Sequence, residues 1–184
     1  MRQSIIIILI IFITELKAQE PIISWQQTIG GSGLDYFISC NQTSDNGYII
    51  GGYSYSGISG DKTEGNIGSA DYWILKLDSV GDIEWQNTIG GTSSDFLASV
   101  EQTFDGGYII GGYSKSELNI TGGEGYDYWI VKLNALGSIE WQNTIGGNND
   151  DFLVSTHQTM DGGYIIGGYS SSTLSGDKSE GNMG

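Results

Sequence analysis

Three observations predict an all-β fold made of repeated four-stranded antiparallel units. First, the chain repeats itself. Gly47 to Ser54 (Gly-Tyr-Ile-Ile-Gly-Gly-Tyr-Ser) returns at 107–114 and at 163–170. Trp25 to Gly31 returns, nearly unchanged, at 85–91 and 141–147, at spacings of 60 and 56 residues. A period of that length marks an array of supersecondary units, each needing its neighbours to bury its faces. Second, apolar residues alternate in short runs, and no helical period appears after the first eighteen residues. Third, 30 glycines against a single proline signal many tight turns.

The second copy gives the elements in order. In Asp95 to Thr103, Phe96, Ala98 and Val100 alternate, which predicts strand a with one buried face. Phe104-Asp105-Gly106-Gly107 is a hairpin turn, because Asp-Gly accepts positive φ. Tyr108 to Tyr113, apolar on both faces, is strand b, expected to sit inside. Its pair Gly111-Gly112, like Gly51-Gly52 and Gly167-Gly168, implies close approach of another backbone or ring. A polar Gly/Ser/Glu-rich loop follows. Asp127 to Asn134 is strand c, with Trp129, Val131 and Leu133 on one face, as Trp73 is in the first copy. After Asn134-Ala135-Leu136-Gly137, residues Ile139 to Ile145 form strand d at the outer edge, with Trp141 turned inward. Trp85 and Trp141 are expected to pack between neighbouring strands and units.

These units predict a partial β-propeller of four-stranded antiparallel meander blades. The organisation reads as a signal peptide over 1–18 and an incomplete propeller over 19–184. The propeller divides into an orphan outer strand at 22–31 carrying Trp25, a blade at 32–91, a blade at 92–147 and a partial blade at 148–184. Asp177 to Gly184 match Asp61 to Gly68, which run on into a Tyr-Trp strand in the first copy, so further blades are expected in a longer chain.

Arg2, the apolar run Ile5 to Ile13 and Ala18 make a secretory signal pattern too short to span a bilayer. Without it, five basic and 21 acidic side chains remain, a net charge of about −16. That charge excludes nucleic-acid partners and anionic membranes, and no membrane insertion of the mature chain is expected. Localisation is expected outside the cell or on its surface. Cys40, the only cysteine, aligns with Val100 and Thr156 and is expected in the core, so no disulfide forms within the chain.

The diglycine, the Tyr128 strand and Trp141 stand where kelch repeats carry their diglycine, tyrosine and tryptophan. The whole wording resembles secreted bacterial β-propeller repeat proteins, some with seven blades, over essentially all of residues 22–184. The resemblance implies a propeller fold and leaves function open, since such folds carry hydrolases, lectins and scaffolds. Thr43-Ser44-Asp45-Asn46-Gly47-Tyr48 and its copies are also similar to the Asp-box of sialidases. That implies a turn-stapling role for Asp45, Asp105 and Asp161. The sialidase arginine cluster has no counterpart, because Arg2 is the only arginine.

The short turns all join a to b and c to d. The long acidic loops at 55–70, 115–126 and 171–184 all join b to c, so ligands are expected at that end. Asp35, Asp95 and Asp151 open the three a strands at the same end. One reading is a carboxylate ring for Ca²⁺ or sugar hydroxyls. The other is that each Asp holds its own turn. Tyr55 and Tyr126 are the loop aromatics suited to sugar stacking. His157, opposite Asn41 and Glu101 in the other copies, reads as a surface residue. No nucleophile elbow, phosphate loop or Cys/His cluster appears, and Ca²⁺ is the one cofactor the acidic loops suggest. These features lean away from an enzyme. The function expected is a secreted, non-catalytic binding or display scaffold for an extracellular glycan or protein. The alternative is a carbohydrate-active protein, either a polysaccharide hydrolase such as an endoglucanase or a lectin-like module.

Overall fold

The computed structural model describes residues 23–116 and 125–182. The expected signal peptide and part of the second b–c loop lie outside the described residues. Among those described, every regular element is a β-strand. Blade 1 contains β1 (Asp35–Gln42), β2 (Tyr48–Ser54), β3 (Asp71–Leu77) and β4 (Ile83–Ile89). Blade 2 contains β5 (Asp95–Gln102), β6 (Tyr108–Ser114), β7 (Asp127–Leu133) and β8 (Ile139–Ile145). Blade 3 contributes β9 (Asp151–Gln158) and β10 (Tyr164–Ser170). Each sheet is an antiparallel meander in chain order, and the three sheets do not close into a ring. The fold is a partial β-propeller, as the repeats predict.

The a–b hairpin explains why each blade starts so regularly. Asn46, Gly106 and Gly162 take φ of 67, 82 and 85°, the left-handed position of the turn. The preceding Asp closes it: Asp105 Oδ1 accepts the Thr103 hydroxyl at 2.5 Å and the Gly107 N–H at 2.9 Å. Lys132 on β7 then joins the a–b and c–d turns. Its buried ammonium lies 2.9 Å from both Asp105 and Glu140 and donates to Leu133 O. Lys76, Asp45 and Glu84 repeat the arrangement in blade 1. The Asp-box residues are therefore turn staples, at the end opposite the long loops.

Blades meet at seams made by strand b's glycines. A methyl on Gly51 would lie 2.9 Å from Leu97, and one on Gly111 would lie 2.8 Å from Leu153, so strand a of the next blade needs both positions bare. The second glycine receives a ring. Tyr72 reaches across the first seam to pack its ring, tilted by 35°, 4.8 Å from that of Trp129, donates to Trp129 O at 3.3 Å, and sits over Gly112. Tyr128 sits over Gly168 in the second seam. The first seam holds the largest apolar cluster, with Ile49, Tyr72, Ile74, Leu97, Ile110 and Trp129 buried. Trp85 and Trp141 each meet the first tyrosine of the next strand b, edge to face at 5.5 Å.

Four expectations are corrected. Strand a, not b, is innermost: it is one edge of each sheet, and neighbouring a strands are stitched together, as where Asn41 donates to Val100 O at 2.6 Å. Strand b is buried because strands flank it on both sides. Residues 23–31 form no strand, because β3 and β7 already have d-strand partners and no other c strand is described. Trp25 nevertheless packs on Tyr48 at 5.5 Å, as Trp85 packs on Tyr108. Cys40 is exposed, because its side chain lies on the side of β1 away from blade 2, where no described blade packs. Trp141 keeps 40% of its surface, since its neighbour is only the two-stranded sheet of blade 3.

Candidate functional site

The long b–c loops and the d–a junctions gather at one end, and Asp35, Asp95 and Asp151 stand where strand a leaves that junction. Each carboxylate is engaged the same way. Oδ2 accepts an N–H from the glycine four residues back: Gly31 at 2.7 Å, Gly91 at 2.7 Å and Gly147 at 2.8 Å. Serine hydroxyls of strand b's end and the following loop supply the rest: Ser54 and Ser56 for Asp35, Ser114 and Ser116 for Asp95, Ser172 for Asp151. Burial opposes ionisation of Asp35, but the bonds from Ser54, Gly31 and Ser56 outweigh it and hold its carboxyl below the usual range. The trio thus ties the d–a junction to the b–c loop in each blade. Among the described residues no three Asp, Glu, His or Cys side chains form a metal-holding group.

The b–c loops are also tied down. Asp61 N–H donates to Gly30 O and Asp177 N–H to Gly146 O, both at 2.9 Å. Lys62, buried in the first loop, donates to Thr88 and to Glu64 O and lies 5.9 Å from the Trp73 ring. Burial pushes its ammonium below the usual lysine range. His157 is exposed and lies 3.0 Å from Glu101.

The same end carries a belt of aromatic rings. The second residue of strand a pairs with the sixth of strand b: Tyr36 with Tyr53, Phe96 with Tyr113, Phe152 with Tyr169. Across the seams Tyr53 meets Phe96 and Tyr113 meets Phe152, each edge to face at 4.8 Å. Tyr55 and Tyr126 join from the loops, 6.3 Å from Tyr53 and 5.5 Å from Tyr113. The belt crosses all three blades without a break. Tyr36, Tyr55 and Tyr169 are well exposed, and Lys115 stands 5.8 Å over Tyr126. The hydroxyls crowd together: burial first, then Tyr53, Tyr169, Tyr126 and Tyr55, push the Tyr113 phenol above its usual range. Sequence reading singled out only the loop members. The strand members share the alternation of core residues, and the signal that could have found them is their common cross-strand register.

The sequence also gave no hint of a carboxyl pair in the first seam. Asp71 opens β3 and Asp95 opens β5; both are buried and their carboxyls meet. Asp71 Oδ2 accepts from Ile67 at 2.6 Å and Gly68 at 3.2 Å, while buried Oδ1 has no donor. Burial, then the charge of Asp95, pushes Asp71 above the usual carboxylate range. The pair spans two blades, so no short motif marks it. No protein-family model matches the chain, and no curated protein matches it.

Proposed function

We propose that this chain belongs to a secreted, non-catalytic β-propeller repeat protein, kelch-like in the wording of its blades, that acts as a binding or display scaffold. The ligand meets the aromatic belt at the loop-bearing end. The observation that supports this reading is the belt itself: an unbroken row of tyrosine and phenylalanine rings, exposed in part, crossing every described blade. Tyrosine offers a flat apolar face and a hydroxyl together. That combination suits a glycan, whose pyranose C–H faces stack on rings and whose hydroxyls pair with phenols. The belt also favours a lectin-like role over hydrolysis. A glycosidase sets two carboxyls roughly 5–10 Å apart around an open cleft, whereas Asp71 and Asp95 lie closed inside a seam. Secretion rests on the signal pattern at 1–18.

The test is a screen of the purified protein against plant, fungal and bacterial polysaccharides, followed by calorimetry on any hit. Tyr36→Ser and Tyr55→Ser, both at exposed positions, are expected to weaken binding at least tenfold with little change in melting temperature. Binding that survives both substitutions would remove the belt from the reading. Release of reducing ends from a bound polysaccharide would overturn the non-catalytic assignment.

A further inference from the structure

The exposed groups around the aromatic belt carry charge of mostly one sign. Asp61, Glu64, Asp150, Asp177 and Glu180 are exposed in the loops and junctions of the same end. Among the described residues every lysine is already engaged. Lys62 is buried against Thr88 and Glu64 O, and Lys178 is held by Ser170 and Ser172 O. Lys76 and Lys132 lie in the turn staples at the far end. Arg2, the only arginine, lies outside the described residues. Lys115 stands at the repeat position of Tyr55, and its ammonium lies 5.8 Å over the Tyr126 ring. The belt therefore already seats an ammonium on a ring face, where the π system is negative. Phe96, Tyr113 and Phe152 surround that ring with centroids 5.5–5.9 Å away. Asp150 accepts the Tyr126 N–H at 2.9 Å, and its charge, second only to burial, pushes the Tyr126 phenol up.

We infer that the glycan met by the belt is a cationic one, a polymer of amino sugars with free ammonium groups, one of which displaces Lys115 from the Tyr126 ring with Asp150 beside it. This rests on the belt being a glycan site, as proposed above. A uronate or sulfated polysaccharide would bring its charge to a surface of carboxylates, with no unengaged cation to receive it. A neutral polysaccharide would use the ring faces and leave the carboxylates beside them unpaired. A basic peptide offers the same ammonium, but on long stems whose rotamer freedom must be given up to hold it over a ring. An amino sugar carries its ammonium on a rigid pyranose, so the sugar face and the charge arrive together.

The test is calorimetry with β-1,4-linked hexamers of glucosamine, N-acetylglucosamine and glucose, which share a backbone and differ at one substituent. At mildly acidic pH, where the free amines are protonated, and at physiological salt, the glucosamine hexamer is expected to bind at least about tenfold more tightly than the other two. Tyr126→Leu, which keeps an apolar side chain but no ring face, should abolish that preference. Asp150→Asn should reduce it severalfold, while Asp82→Asn, the same charge change at an exposed site at the far end, should leave it unchanged. Lys115→Met should tighten the glucosamine hexamer and not the glucose hexamer. Equal binding of all three hexamers would overturn the charge selection and leave the belt as a glycan site. Binding of none would overturn both. Hexalysine binding as tightly as the glucosamine hexamer, or Asp82→Asn weakening binding as much as Asp150→Asn, would reduce the effect to overall charge and overturn the inference.

Discussion

In the turn staple the exposed partner should matter more than the buried one. The Lys132 side chain is 3% exposed and that of Asp105 58%. Asp105→Ala removes a charge-assisted bond, worth about 1.5–3 kcal/mol, and strands the Thr103 hydroxyl and the Gly107 N–H, at about 1–3 kcal/mol for a buried group. It also leaves a buried ammonium with only Glu140 and a carbonyl. Solvent at the carboxylate weakens the ionic part, so the net cost should be about 2–4 kcal/mol. Lys132→Met leaves two carboxylates that water can solvate and removes the several kcal/mol needed to bury the ammonium. Its net cost should stay below about 1.5 kcal/mol. Urea denaturation followed by tryptophan fluorescence, with both variants compared at equal slope, measures the two values. A Lys132→Met cost larger than that of Asp105→Ala would refute the argument. The pH dependence supplies a sign. Bonds from Thr103, Lys132 and Gly107 hold Asp105 down at about 2, so its contribution is present above the unfolded value of 3.8 and is lost as pH falls from there toward 2.

Three further outcomes are expected. Trp129→Ala, in the first seam, should cost about 3–5 kcal/mol, and Trp85→Ala clearly less because its ring is only half-buried; equal costs in denaturant melts would mean the seam is not the main core. Asp71 has the opposite sign to Asp105: its raised carboxyl binds a proton more tightly in the fold, so stability should fall as pH rises from 3.8 through the raised value. The groups facing it are Asp95 on β5 and, at longer range, Lys62. Asp71→Asn should flatten that slope, and an unchanged slope in melts from pH 4 to 8 would exclude Asp71 as its source. Finally, Asp35, Asp95 and Asp151 already hold their donors, so calcium and chelator should give equal melting temperatures; a calcium-dependent rise abolished by Asp95→Asn would make the trio a cation site.

Strand identity was legible because it is local. Alternation and the Asp-Gly turns placed β5, β7 and β8 within a residue of their observed bounds, from Asp95, Asp127 and Ile139 onward. What alternation cannot tell is which unit covers which face. Cys40 and Val100 occupy the same strand position, yet one is exposed and the other buried. The belt and the Asp71–Asp95 contact arise only when blades stack, between residues that no short spacing links. Residues 23–31 keep the tryptophan packing of a d strand but have no described neighbour with which to form a ladder.

Identical seams raise a question of order. The b strands of all three blades read Tyr-Ile-Ile-Gly-Gly-Tyr-Ser, so nothing in that strand tells β5 from β9 as a docking partner. Connectivity must do so. Only residues 90–94 join β4 to β5, and only 146–150 join β8 to β9, tethers with a reach of about 17 Å. A blade on so short a leash meets its immediate neighbour at high effective concentration and cannot bypass it. Lengthening either junction with flexible residues would leave the apolar contacts of the seams intact while making skipped and swapped pairings accessible during refolding. The brevity of these junctions, rather than the chemistry of the seam, is what makes the assembly sequential.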